Sequence, residues 1–142
     1  MKAVSGITCL TLALASCVSV PGTNPIHVDV LKQTTSSWDG SALPKYPTGQ
    51  PEVTILRIRI APGARLPWHK HPIINGGVLL HGKLTIYAED HQSLHLSAGD
   101  PFVEEVNKWH YGANEGTETA EVIVFYAGEP GVPLSIPRDG DH

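Results

Sequence analysis

Beyond its first 25 residues the chain is interrupted every few positions by glycine, proline, asparagine or aspartate, and this punctuation constrains the fold more than any other feature. Residues 53–60 set Thr54, Leu56, Ile58 and Ile60 against Val53, Ile55, Arg57 and Arg59, the two-residue period of a strand. Further strands are predicted over residues 27–35, 66–71, 75–80, 83–88, 93–96, 101–106, 109–113 and 120–127. Ala61-Pro62-Gly63, Gly82, Asp90, Gly99-Asp100, Asn107, Asn114 and Gly116 separate them. Trp38-Asp39-Gly40 reads as a turn, residues 44–51 as a loop, and the tail from Gly128 as irregular. None of these segments repeats apolar residues at helical period. Many short strands with even turns require an all-β sandwich or a closed barrel. A length of 142 residues suits one such domain, placed here over residues 27–142.

The first residues read as a targeting segment. Lys2 is a minimal positive start, and residues 4–15 are mostly apolar but too short to span a bilayer. A signal peptide is therefore predicted over residues 1–16. Two processing signals overlap at its end: Ala13-Leu14-Ala15 suits ordinary signal peptidase, and Leu14-Ala15-Ser16-Cys17 resembles the bacterial lipobox. The second makes Cys17 a lipidated N-terminus and residues 17–26 a proline-containing tether. With Val18 following, an exported protein is expected: periplasmic, as an outer-membrane lipoprotein. Cys9 and Cys17 are the only cysteines, so no disulfide or thiol is available within residues 27–142. Acidic residues outnumber basic ones, 14 to 10, with no cationic run, which excludes a nucleic-acid partner.

Eight histidines raise the question of a metal. His69 and His71 lie two apart in a predicted strand, so their imidazoles share a face, and the prolines and Trp68 before them make that setting stiff and apolar. His110 follows in a later strand between Trp109 and Tyr111. His91 and His95 read as exposed and His27 and His142 as terminal. His81 reads as solvent-facing, although its parity with Asn75 also allows an inward orientation.

At these positions the sequence resembles the cupin superfamily. Its first motif runs glycine, five residues, His-x-His, three or four residues, glutamate, six residues, glycine; Gly63, His69, His71 and Gly82 match, with Asn75 in place of the glutamate. In its second motif Gly99, His110 and Asn114 match, while Glu105 and Asn107 replace a proline and a glycine. The resemblance implies a jelly-roll or double-stranded β-helix barrel and one divalent transition metal on His69, His71 and His110, with Asn75 at the fourth position. Neutral imidazoles suit iron, manganese, zinc, nickel or copper. An amide binds more weakly than a carboxylate and leaves the ion its full charge, which favours an anionic ligand.

Three-histidine cupins resemble thiol and gentisate dioxygenases, so a metal-dependent, dioxygenase-like oxidoreductase acting on a small molecule is the leading expectation. A non-catalytic ligand- or metal-binding protein at the cell surface and a metal-dependent isomerase or lyase are the alternatives. Trp68, Trp109 and Tyr111 are expected to wall a pocket for an aromatic or apolar molecule. Either Glu104 or Glu105 is expected to turn inward as a general base, but alternation forbids both. Arg57 and Arg59 either clamp a carboxylate or form a solvated face. A homodimer is expected, with residues 27–38 adding a strand to a neighbour's sheet.

If Cys17 carries the lipid, Cys17→Ser abolishes its attachment. Cleavage after Ala15 then releases a soluble periplasmic protein, read by fractionation after osmotic shock. Wild-type protein found wholly in the soluble fraction defeats the anchor.

Overall fold

Alternation in β1 (Glu52–Ile60) decides which of its faces is buried. Leu56, Ile58 and Ile60 turn inward, while Val53, Ile55, Arg57 and Arg59 stay exposed, as the sequence period requires. In this computed structural model, which describes residues 26–140, eight further strands follow: β2 (His69–Lys70), β3 (Ile74–His81), β4 (Lys83–Ala88), β5 (Ser93–Ser97), β6 (Pro101–Val103), β7 (His110–Ala113), β8 (Ala120–Gly128) and β9 (Ile136–Pro137). No helix occurs among the described residues. The predicted signal peptide, Cys17, all but the last residue of the tether, and His142 lie outside them.

The strands form two antiparallel sheets, one ordered β1-β8-β3-β6 and the other β5-β4-β7-β2-β9. Neighbours in each sheet are mostly distant in sequence, the connectivity of a jelly-roll barrel. Leu79, Ile86, Leu96, Phe102, Val122 and Val124 meet between the sheets and are almost wholly buried. Each contributes about 1.5–3 kcal/mol through burial. β3 crosses this core closely at Gly77, where a Cβ would lie 2.3 Å from the Ile123 carbonyl oxygen and 2.9 Å from the Phe102 ring. Gly82 turns the chain into β4 with φ +76°, and a side chain there would meet the Thr119 carbonyl oxygen at 2.8 Å.

Several boundaries differ from expectation. Residues 27–35 form no strand; Val30 to Thr34 instead line a groove with residues of β3 and β6 on the outer side of the four-stranded sheet. The strand expected over residues 66–71 shrinks to β2, because Pro67 and Pro72 lack the N–H that a ladder needs. The tail is less irregular than expected: β9 pairs with β2, opposing Pro137 to His69 and Ile136 to Lys70.

Asn107 stands where the second motif has glycine and keeps a left-handed φ of 61°. Asparagine is among the few side chains that tolerate it. Buried Asn114 donates from Nδ2 to the carbonyls of Ile60 and Glu118, both at 2.8 Å, and accepts from the Gly116 N–H at 3.0 Å. It thereby ties the end of β1 to the turn before β8. Asn114→Ala strands these groups, so a loss of about 2–4 kcal/mol is expected in urea unfolding. A change below about 0.5 kcal/mol would contradict that role.

Candidate metal centre

β2 and β7 are neighbours, and their register sets His69 directly opposite His110. His71 lies two residues beyond His69, just past the end of β2 where it bridges Val106, and the three imidazoles come together there. Their ring centroids are 4.7 Å (His69–His110), 4.9 Å (His69–His71) and 5.1 Å (His71–His110) apart. One ligand nitrogen from each lies within 4.8 Å of the others.

The backbone orients all three rings. Nδ1 of His69 bonds the Pro67 carbonyl at 2.8 Å, Nδ1 of His71 the Leu134 carbonyl at 2.7 Å, and Nδ1 of His110 the Lys108 carbonyl at 3.1 Å. Because a carbonyl only accepts, each Nδ1 carries the proton and each Nε2 is left for the interior. This is the outer-shell anchoring that metal-bound histidines use. His71 and His110 are buried and His69 is partly exposed.

Two features show that the residues fit an ion. Nε2 of His110 is buried without a hydrogen-bond partner, as are both amide atoms of Asn75, which faces inward on β3 with Leu79. Buried polar atoms without partners are costly unless something satisfies them. The donors are also of the right kind, since three neutral imidazoles hold a transition metal readily. His69, His71 and His110 can hold one ion together.

Both glutamates turn inward, where only one was expected. The β6 ladder ends at Val103, and alternation ends with it. Ser37 Oγ donates to the Glu104 carbonyl at 2.9 Å, and Val106 makes a parallel bridge to His71, so successive side chains at 104 and 105 are both buried. Glu104 Oε2 lies 2.9 Å from His71 Nε2, and Glu104 Oε1 lies 3.7 Å from His110 Nε2. Glu105 accepts a 2.8 Å hydrogen bond from Trp38 Nε1 and lies 3.8 Å from His110 Nδ1, behind the ring.

Burial alone would lower His71 and raise Glu104, but each reverses the other: the hydrogen bond and charge of the pair hold His71 above and Glu104 below their ordinary values. Burial pushes His110 down to about 4 and His69 below its usual range, so both are neutral near pH 7. Glu105, lacking a cationic partner, is raised by burial to about 7.

The cavity at the histidines has a volume of roughly 40 Å³ and is otherwise mostly apolar, closed by Ile58, Leu84, Phe102, Val124 and Tyr126. Tyr126, whose ring lies 5.5 Å from that of His71, was not anticipated; alternation along β8 with Val122 and Val124 marks it as inward. Trp68, Trp109 and Tyr111 do not line this cavity. Each is one residue from an inward histidine, so strand parity sends it to the outer face. There Trp68 packs edge-on against Tyr111 at 4.7 Å, Tyr111 stacks on Tyr87 at 5.0 Å, and Lys70 lies 4.8 Å from the Trp109 ring. Arg57 and Arg59 are exposed on the four-stranded sheet and pair with Glu121, at 3.5 and 2.7 Å. His27, His81, His91 and His95 are all exposed, and His81 bonds the Thr119 carbonyl.

No curated protein matches this chain in sequence. Among solved structures it is similar to oxalate oxidase in complex with the substrate analogue glycolate, at 26% identity and a TM-score of 0.50. That match covers 58% of this chain and 45% of the oxidase, so the chain spans less than half the length of that enzyme. It shares its fold with a DMSP lyase from Ruegeria pomeroyi (18% identity, TM-score 0.55, covering 63% of this chain and 45% of that one). It also shares it with a polyketide cyclase from Streptomyces resistomycificus (15% identity, TM-score 0.53, covering 63% of each). The Cupin domain family matches residues 56–126, half of the chain and the whole span that carries the three histidines. With the jelly-roll topology and the histidines of both motifs in place, the chain belongs to the cupin family.

Proposed function

We propose that this protein is a metal-dependent oxidoreductase whose substrate is a short carboxylate and whose oxidant is dioxygen. The observation that carries this reading is the cluster of three backbone-anchored imidazoles, two of which, His69 and His71, line a cavity of roughly 40 Å³. Drug-sized ligands occupy pockets of about 300–1,000 Å³, whereas about 10–15 Å³ of cavity volume is enough to hold one water. Only a molecule of a few heavy atoms fits beside an ion here. A redox-active ion at the site supplies electron transfer between such a molecule and dioxygen. The apolar walls exclude bulk water, His69 gives the site its partly exposed side, and the buried Tyr126 phenol, raised by burial, stays protonated as a donor. The 26% identity to oxalate oxidase supports this substrate class.

The test is dioxygen uptake by tag-free protein loaded with Fe2+ or Mn2+ and supplied with oxalate, glycolate and other two- and three-carbon acids. Uptake that requires both metal and acid supports the reading, and its absence with every pairing overturns it. A second reading, a metal-dependent lyase or isomerase, draws on the carboxylate of Glu104 in the cavity as a base. It requires Glu104→Gln to lose turnover while retaining metal.

Assembly and location belong to the same proposal. Val53, Ile55 and Phe125 are 58%, 64% and 44% exposed on the four-stranded sheet, beside the exposed Val28, Val30 and Leu31. A patch of this kind is what a partner covers, and a second copy in a homodimer is the proposed one. Sedimentation equilibrium at micromolar concentration should give twice the monomer mass; a clean monomer defeats it. The location proposed is the periplasmic side of the outer membrane, through Cys17.

Metal loading should depend on pH in a defined direction. His71 is held above its ordinary 6.5 and must lose its proton to bind, whereas His69 and His110 are already neutral. Affinity should therefore rise with pH through and above the usual imidazole range. Protons should leave as the ion binds, and fewer of them as pH rises, measured calorimetrically in buffers of different ionisation enthalpy. His110→Ala should abolish binding, and unchanged metal content in that variant would refute the three-histidine site.

A further inference from the structure

Position 75 carries an amide where the family motif has a carboxylate, yet a carboxylate is present within the histidine cluster. β3 and β6 pair with Gly76 opposite Val103, and the next step of that register sets Asn75 opposite Glu104. The Glu104 N–H still donates to the Asn75 carbonyl, at 3.2 Å. Both side chains are buried on the inner face, a direct cross-strand pair whose Cβ atoms lie about 5 Å apart in ordinary sheet geometry. A glutamate at 104 therefore reaches the space that a glutamate at 75 would fill, entering from the adjacent strand.

The distances lie within a few tenths of an ångström of those between donors to one ion. Ligands at about 2.1 Å from a shared metal stand about 3–3.5 Å from each other. The two oxygens of Glu104 lie 2.9 and 3.7 Å from Nε2 of His71 and of His110, the nitrogens that backbone anchoring leaves for the interior. Resting on the metal reading above, we infer that Glu104 is a fourth, anionic ligand, taking over from the strand next door the place of the glutamate that position 75 lacks. Its carboxylate lowers the net charge of the site from +2 to +1 and stands between His71 and His110. Glu104 is then occupied by the ion, which removes it as a free base.

The experiment titrates Co2+ into metal-free, tag-free protein, following affinity by chelator competition and coordination by visible absorption. Glu104→Gln should weaken binding by about tenfold or more, at least what losing an outer-shell partner costs, and should alter the cobalt spectrum. Adding Asn75→Glu to Glu104→Gln returns a carboxylate to the opposite member of the pair and should recover most of the affinity. Wild-type affinity and an unchanged spectrum in folded Glu104→Gln, with binding still lost in His110→Ala, would overturn this inference and leave the three-histidine site standing. A folded wild-type protein that takes up no Co2+ overturns both. Should Glu104→Gln not fold, the cobalt-loaded wild-type crystal decides. A Glu104 oxygen within about 2.2 Å of the anomalous peak supports the assignment, and one beyond about 3 Å refutes it.

Discussion

A slip of one residue between β2 and β7 would send His69 and His110 to opposite faces and dissolve the histidine cluster. With β2 only two residues long, its own ladder is too short to prevent this. The register is held from outside the strand: the Leu66 N–H donates to the Gly112 carbonyl at 2.9 Å, Arg65 bridges Ala113, and the Arg138 N–H donates to the Trp68 carbonyl at 2.9 Å. The outer-face aromatics add to it. Trp68 against Tyr111, Tyr111 on Tyr87, and Arg65 4.3 Å from the Tyr111 ring lock β2, β7 and β4 side by side. Each such contact contributes about 0.5–1.5 kcal/mol, most of it lost on a register shift. The rings expected to wall a pocket thus serve the site from behind, by fixing which way its histidines point.

The second constraint is the cost of burying charge. Glu104 and His71 pay a desolvation penalty that only their mutual contact offsets. His71, raised above 6.5, stabilises the metal-free fold fully below that value and loses the contribution as pH rises through its folded value. Glu104, lowered from 4.5, contributes above 4.5 and loses it as pH falls through its folded value. The pair is therefore most stabilising between these limits, with both partners charged. Glu105 has no such partner and leans on the Trp38 indole, a contact that commits residues around 38 to the rear of His110.

Much of the barrel was legible because strand parity is a one-dimensional rule. It separated Leu56, Ile58 and Ile60 from Arg57 and Arg59, and it put His69 and His71 on one face. Applied one residue further, the same rule excludes Trp68, Trp109 and Tyr111 from the cavity, so that expectation failed by disregarding parity rather than by lacking information. Residues 27–35 failed differently. Their composition favours a strand, but whether a segment pairs is decided by contacts with distant residues that the local sequence does not contain. The inward turn of both Glu104 and Glu105 depends on Ser37 and His71 holding the chain where the β6 ladder stops, contacts from residues far away in the chain.

Departures from the family pattern make the same point about what a sequence encodes. At 107 the motif's glycine is replaced, yet the backbone conformation that called for glycine is kept, because asparagine can adopt it. At 75 the carboxylate is gone, yet a carboxylate one strand away lies within 3.7 Å of two of the three histidines. In each case the preserved quantity is a physical requirement, a left-handed backbone or a negative charge in a given place, and the residue identity at the motif position is one way of meeting it. A position-by-position reading registers both sites as losses. The backbone at 107 keeps its left-handed φ, and the Glu104 carboxylate stands across the sheet from position 75.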